Sequence, residues 1–569
     1  MQSQVYARER ERRTGRQGSS ASPQRESLAS AVPSPEASGS DRAVLIVALA
    51  ALAIHAILAW LARPAGLETS QDAATYFVLG QSLLQGGYHE LFRTDAPVHA
   101  LYPPVYPFQL AVLQGLFADS LAPVMAWGVL CSVATLGMVF LLMRRHFSAM
   151  IGLATLCLLA VNPVLVGLAT QLRAETSFMM MATTSVFFLS GREPSKRSTI
   201  IGCAAAILAA LTRTAGVVIL PAVAVHLLLL GRRRALFAFI IAASLTVGSW
   251  LTWTTLAPEK YVGRSYVADA LTLVGMADST GVTSGGQSKL TGARVVRRTL
   301  YYGGIGIPWS LQMPTITGTR ADNAVGAALL GVLILVGAWT ARRQWRIAVL
   351  VLGSYAALLF LWTWQAQRFL APVVPMLAAL LVLGGATVLR RYTARFAVPV
   401  AIALLLPFVL TGATRTAQTI RERPKCDRDG LPPAPACMTG DDASYLAAVS
   451  YIRTNVSKDA VFLTLKPAPF YVYTGITSVG QGPVLAQSPE TFEGFLDENG
   501  VTHVLLGHLH THEPRRLLSR LEGMCDRLVF EQYFPPRTFL LKLRSARADP
   551  DDTGACEALA RYRVMANES

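Results

Sequence analysis

The sequence predicts a polytopic α-helical membrane protein, with about eleven transmembrane helices and a small C-terminal α/β domain on the extracytoplasmic side. Three observations predict it. Of 569 residues, 52% are hydrophobic and only 15% charged, the composition of a membrane chain that also carries a soluble portion. Apolar runs of 15 to 22 residues recur between residues 43 and 414. Basic residues cluster between those runs: Arg144 with Arg145, Arg192 with Lys196 and Arg197, Arg232 to Arg234, Arg342 with Arg343 and Arg346, and Arg390 with Arg391 and Arg395. That is the positive-inside pattern of cytoplasmic loops, so the net charge of +16 reflects membrane topology and implies no nucleic-acid partner.

Residues 1–42 are polar, rich in Arg, Ser and Pro, and too poor in large apolar side chains to offset the entropy of ordering, so they read as a disordered cytoplasmic tail. Ala43 to Ala62 offers 20 residues without a formal charge, enough at about 1.5 Å per residue to cross roughly 30 Å of hydrocarbon. With the basic clusters as cytoplasmic markers, further spans fall near 122–143, 148–169, 175–190, 199–213, 215–231, 235–256, 323–341, 346–364, 369–389 and 396–414. The two flanking Arg213 lie near or below the lower limit of roughly 17 residues. Pro103 to Phe117 is left out, because a crossing there would put Arg144 and Arg145 outside; it reads as a proline-led helix dipping into the outer interface. This topology places outside the cytoplasm the first loop 63–121, a turn at 170–174, a turn near Arg213, the second large loop 257–322, a turn at 365–368 and everything after about 415.

From Asp441 the pattern changes. A helical stretch, "DDASYLAAVSYIRTNV", precedes the extended run "DAVFLTL", and "VTHVLLG", "DRLVFEQY" and "RTFLLKL" then alternate with helical segments. Residues 415–569 thus read as an α/β domain whose last roughly 130 residues can bury an independent core. Cys131, Cys157 and Cys203 lie in apolar spans and read as small buried hydrophobes. Cys426, Cys437, Cys525 and Cys556 are all exterior, which makes two disulfides plausible in an oxidising compartment. No Walker, Rossmann or HExxH motif occurs.

The polar residues that stand out are all on the predicted outer face. Asp72 leads an amphipathic helix, "DAATYFVLGQSLLQGG", that would lie along the interface and fix the carboxylate near a lipid headgroup; an acid at a helix start is also an ordinary cap. Glu175 follows Arg173 at the outer end of a span, where helix-dipole stabilisation or an interfacial Arg–Glu anchor would equally explain it. Arg213 and Arg368 interrupt apolar sequence where a charge needs a partner or must snorkel, and a guanidinium suits phosphate through paired hydrogen bonds. His89, His99 and Tyr102, in the first loop, are candidates for hydrogen bonds to a sugar. His55 reads as a packed interhelical residue, and His508, His510 and His512 as a solvated loop lacking the acidic partners of a metal site.

As a set, "DAATYFVLGQSLLQGGY", "H…YPPVYPFQLA", the basic turn "MRRHF" and "NPVLVGLATQLRAETSF" resemble the GT-C membrane glycosyltransferases, especially bacterial members similar to protein O-mannosyltransferases and to the enzymes that put aminoarabinose on lipid A. The resemblance covers about residues 43–390. It implies a bacterial plasma (inner) membrane enzyme that transfers a sugar from a polyprenyl-phosphate-sugar to an extracytoplasmic acceptor, a glycolipid, envelope glycan or protein, with inversion. It also implies Asp72 as catalytic base, Glu175 in support of the site, and Arg213 and Arg368 on the donor phosphate; Arg173, two residues before Glu175, is a further candidate for substrate binding. Many relatives carry two adjacent acids in the first loop. Here Ala73 follows Asp72, which weighs against a divalent metal held by such a pair, and no cofactor is expected. Two other readings stay open: a transporter or flippase for lipid-linked sugars, against which stand the missing inverted repeat and the clustering of polar residues at one edge, and a noncatalytic envelope assembly subunit.

Overall fold

A computed structural model describes residues 39–67, 69–118, 120–191, 193–256, 292–314, 320–361, 367–392, 397–426, 428, 430–480, 488–507, 513–544 and 554–567. Residues 257–291 and 315–319 of the second large loop and His508, His510 and His512 lie outside the described residues, as does nearly all of the N-terminal tail; the rest of that loop is not irregular but carries helices. The helices are α1 (Gly39–Leu61), α2 (Gln71–Leu84), α3 (Val105–Phe117), α4 (Leu121–His146), α5 (Ala149–Ala160), α6 (Pro163–Ala169), α7 (Ala174–Leu189), α8 (Lys196–Thr212), α9 (Ile219–Leu229), α10 (Arg233–Ala243), α11 (Ser249–Leu256), α12 (Gly292–Tyr301), α13 (Ile307–Ser310), α14 (Arg320–Ala341), α15 (Arg346–Leu361), α16 (Val374–Tyr392) and α17 (Ala397–Glu422). Among the described residues five helical stretches are long and apolar enough to cross a membrane, and α5 with α6 makes a sixth if that pair, bent by 66°, is one span. The expectation of eleven crossings therefore rests on the charge pattern, not on helix length.

The outward faces of these helices are apolar, as in an integral membrane protein. On α1, Val47, Leu49, Ile54 and Ile57 are exposed while Ala48, Ala51 and Ala59 face inward; small residues at the interface let helices approach where lipid supplies no hydrophobic drive. The same logic is sharpest where α14 meets α16: a Cβ on Gly384 would lie 1.9 Å from the Leu333 carbonyl oxygen, and one on Gly337 2.0 Å from that of Leu380. His55 is fully buried, with Nδ1 2.9 Å from the Ala160 carbonyl and Nε2 2.8 Å from Ser132 Oγ, the packed interhelical role expected.

The predicted span 148–169 is broken. Pro163 has no N–H to continue the ladder, and Asn162 Oδ1 accepts from the amides of Val164 and Leu165, starting α6 afresh. The Val161 carbonyl freed by the break accepts from Thr416 Oγ1 at 2.9 Å, which meets the demand that membrane backbone stay paired. At 13 residues α3 is too short to cross. Tyr106, Leu110 and Gln114 face inward, and Phe108, Val112 and Leu116 form an exposed apolar stripe, the pattern of a helix seated at the interface.

Beyond α17 the chain forms α18 (Gly440–Asn455), α19 (Pro467–Thr474), α20 (Pro489–Glu498), α21 (Glu513–Glu522) and α22 (Gly554–Asn567) around a five-stranded sheet. Its strands are β1 (Phe462–Thr464), β2 (Ser478–Gly480), β3 (His503–Gly507), β4 (Leu528–Phe534) and β5 (Thr538–Leu543), in the order β2-β1-β3-β5-β4. β1 runs parallel to β2 and β3, and β5 antiparallel to β3 and β4. Cys426 pairs with Cys437 and Cys525 with Cys556.

Two expectations about this part are corrected. The boundary at residue 414 falls inside α17, which continues to Glu422. The domain's core is also only half its own. Because strand side chains alternate between faces, Leu463, Val504, Leu506, Phe539 and Leu541 pack with α20, α21 and α22 on one face. Phe462, Leu505 and Leu540 point the other way, into a core shared with Tyr445, Phe470 and Tyr473 and with Leu67, Ala73, Phe77, Leu110 and Met125 of the membrane helices and their loops.

Candidate active site

Asp72 is the second residue of α2, but it does not cap the helix. Ser70 does, its Oγ accepting from the Ala73 amide at 3.4 Å, so the Asp72 carboxylate is left for other partners. The Tyr102 hydroxyl donates to Oδ1 at 2.9 Å and Arg368 Nη1 to Oδ2 at 3.0 Å. Burial by itself raises the Asp72 pKa; the Arg368 charge, the Tyr102 hydrogen bond and the nearby Arg173 charge outweigh it and hold the carboxyl below its usual range. The side chain still keeps 33% of its surface exposed, which leaves the carboxylate reachable.

Tyr102 is aimed from two sides. Its ring stacks on Tyr76, one turn along α2 from Asp72, with centroids 4.5 Å apart. Its backbone N–H donates to His99 Nε2 at 2.9 Å, while His99 Nδ1 lies 2.8 Å from Glu90 Oε1. An Nε2 that accepts forces the proton onto Nδ1, which then donates to the carboxylate. His99 and Glu90 are almost wholly buried. The expected sugar contact by His99 is thus corrected: both ring nitrogens are occupied, and the residue is a strut beneath Tyr102. His89 ties its own loop, its Nδ1 3.0 Å from the Ala96 carbonyl and its backbone bridged to Val98.

The second carboxylate, Glu175, opens α7 and is buried, with Oε1 2.9 Å from Arg213 Nη1. Arg213 sits between α8 and a 3-10 turn, Thr214–Val218. That turn passes so close to α8 that a Cβ on Gly216 would lie 2.4 Å from the Ala209 carbonyl oxygen. Phe369 joins the two ion pairs: its ring centroid is 5.8 Å from Arg213 Cζ and 5.5 Å from Arg368 Cζ, both within cation–π range. Arg173, just before α7, reaches back to Ser70 Oγ at 3.4 Å.

Asp72, Tyr102, Arg173, Glu175, Arg213 and Arg368, drawn from four separate outer segments of the predicted topology, therefore converge at one end of the bundle. The other end gathers the start of α8 and the C-terminal ends of α4, α7 and α9, where His146 meets Ser190 and Arg232 meets Thr199. Among the described residues no three His, Cys, Asp or Glu side chains converge as a metal site would require. Sequence reading missed Phe369 and Glu90. An aromatic in an apolar run and an acid in a polar loop carry no signal until the fold buries them between partners.

The helical membrane module, with two carboxylate–arginine pairs at one end and an α/β domain beyond α17, has a fold shared with solved structures. The family model described as dolichyl-phosphate-mannose-protein mannosyltransferase matches residues 101–255. Among solved structures, ArnT from Cupriavidus metallidurans bound to undecaprenyl phosphate is 15% identical with a TM-score of 0.55, over 90% of this chain and 99% of that one. The apo Archaeoglobus fulgidus oligosaccharyltransferase is 12% identical with a TM-score of 0.53, over 89% of this chain and 75% of that one. At such identities the likeness establishes the fold. No curated protein matches the chain.

Proposed function

We propose that the chain transfers a hexosyl or pentosyl group from a polyprenyl-phosphate-sugar to an acceptor hydroxyl outside the cytoplasm of a bacterial inner membrane. The observation that carries this is the Asp72–Arg368 pair at 3.0 Å, a carboxylate and a guanidinium held together beside a second such pair at a membrane edge. An incoming donor phosphate competes with Asp72 for Arg368. The guanidinium then serves the phosphate and the carboxylate is released to act as base. Asp72 takes the acceptor proton as the acceptor oxygen forms its bond to the anomeric carbon and the bond from that carbon to phosphate oxygen breaks, with inversion. Arg368 and Arg213 supply the positive charge opposite the departing polyprenyl phosphate, so the step invokes no metal.

The neighbours' lipids support this donor class: ArnT was solved with undecaprenyl phosphate. Two disulfides beyond α17, on the side of the site, and basic clusters at the opposite end fit an extracytoplasmic site. The test is reconstitution of the purified protein with radiolabelled polyprenyl-phosphate-sugars and native membrane acceptors. Transfer by the wild type, reduced about 10²- to 10⁴-fold in Asp72→Asn, is the expected result. Transfer undiminished in the mutant would sink the assignment of the base, and lipid translocation without transfer would favour a flippase. Labelling of a cysteine introduced beside Arg144 is expected only from the cytoplasmic side.

A further inference from the structure

In the segment that delivers Asp72, the described residues 63–67, 69 and 70 form neither helix nor strand, and their hydrogen bonds run largely to the C-terminal domain and the residues leading into it. The Gly66 amide donates to the Arg428 carbonyl at 3.0 Å. The Leu67 amide donates to Tyr473 Oη at 3.0 Å, Thr69 Oγ1 donates to Asp442 Oδ1 at 2.7 Å, and the Ala468 amide donates to Gln71 Oε1 at 3.3 Å. Further along the same loop, the Ser478 amide donates to the Phe92 carbonyl at 2.9 Å. Residues 67, 69 and 71 are thus each fastened to the domain immediately before Asp72.

Their anchors are themselves rigid. Asp441, next to Asp442, takes a bidentate hold from Arg537 at 2.9 and 2.6 Å, and Ser444 Oγ lies 2.8 Å from Thr538 Oγ1, so the first turn of α18 is locked to the start of β5. Tyr473 is buried in the core shared with Leu67, Ala73 and Phe77. Gly66 has a φ of +56°, and a Cβ there would lie 2.9 Å from Pro433 Cδ, so the loop approaches the domain as closely as a glycine allows.

We infer that the C-terminal domain sets the position of the Asp72 helix, with Asp442 and Tyr473 as positioning residues for the catalytic carboxylate. Its kinetic consequence rests on the proposed transfer reaction; its structural consequence does not. The path runs from the sheet through the first turn of α18 to Thr69 and on to Asp72. The domain acts as a jig for the base rather than as a dock for the acceptor.

The test uses the full-length protein in lipid nanodiscs, with Asp442→Ala, Asp442→Asn and Thr69→Val, and two readouts. In hydrogen exchange, Asp442→Ala and Thr69→Val are expected to speed exchange at residues 65–73 at least tenfold while leaving the sheet unchanged; Asp442→Asn, which keeps an acceptor oxygen, is expected to restore protection. In transfer assays the same two variants are expected to lower kcat about tenfold with both KM values unchanged, again with rescue by Asn. Unchanged exchange in Asp442→Ala and Thr69→Val would overturn the inference, as would a raised acceptor KM at constant kcat, which would make the domain an acceptor site. If the wild type transfers no sugar at all, the proposed reaction fails while the exchange readout still judges the clamp.

Discussion

Arg368 and Asp72, 296 residues apart in the chain, meet with Nη1 3.0 Å from Oδ2, so each neutralises the other in the resting site. Glu175 and Arg213 repeat the arrangement, and Phe369 lies against both cations. In the proposed reaction, Asp72 stays quiescent on Arg368 until the donor phosphate takes the guanidinium.

The pairing dictates a pH response. Asp72 is held below the usual carboxylate range although burial opposes it, with Arg368 the largest lowering influence. Arg368→Gln removes that charge, and the acid limb of kcat/KM is expected to move to higher pH. The sign for stability follows from linkage: a carboxyl depressed in the folded state contributes stability above its unfolded value, and the contribution is lost as pH falls through the folded value. Thermal unfolding of wild type and Arg368→Gln is therefore expected to differ at neutral pH and to converge in acid below the ordinary carboxylate range.

Tyr102→Phe removes the hydroxyl that donates to Asp72 and keeps the ring stacked on Tyr76. A hydrogen bond to a charged group is worth about 1.5–3 kcal/mol, so a drop in kcat of about tenfold or more is expected, without loss of fold. Steady-state kinetics beside circular dichroism check both halves.

His99 and His89 separate by burial. His99→Ala leaves the buried Glu90 carboxylate without its nearest donor and is expected to destabilise the protein by about 2–3 kcal/mol. His89→Ala gives up a bond from a half-buried loop residue, at a cost of about 1 kcal/mol or less. Denaturant or thermal unfolding in detergent distinguishes them.

Gly384→Ala places a methyl group where the Leu333 carbonyl already lies, 1.9 Å away. Helices α14 and α16 must separate, and a loss of about 1–3 kcal/mol or more is expected. Gly385→Ala, beside it, meets nothing within 4 Å and serves as the neutral control in the same unfolding measurement.

How much of this was legible before folding can be read from single residues. Asp72, Glu175, Arg213 and Arg368 stand out in sequence because an ionised group at the edge of an apolar run is expensive in any fold and requires a reason. Their partners do not stand out: nothing local says that Arg368 meets Asp72 and not Glu175. Ser70 took the capping role that Asp72 could have filled, because the helix begins at Gln71 and leaves Ser70 at the cap position. The break at Asn162 and Pro163 was written in the sequence but lay hidden inside a continuous apolar run.

The sequence by itself determined the membrane class, the four charged residues and the alternation of helix and strand near the C-terminus, because hydrophobic periodicity and the cost of desolvating charge act locally along the chain. Only the tertiary structure decided which carboxylate holds which arginine, that His99 and Glu90 are struts, and that one face of the sheet shares its core with the Asp72 helix. Those are contacts between residues tens to hundreds apart, and they exist only once packing has fixed the distances between elements.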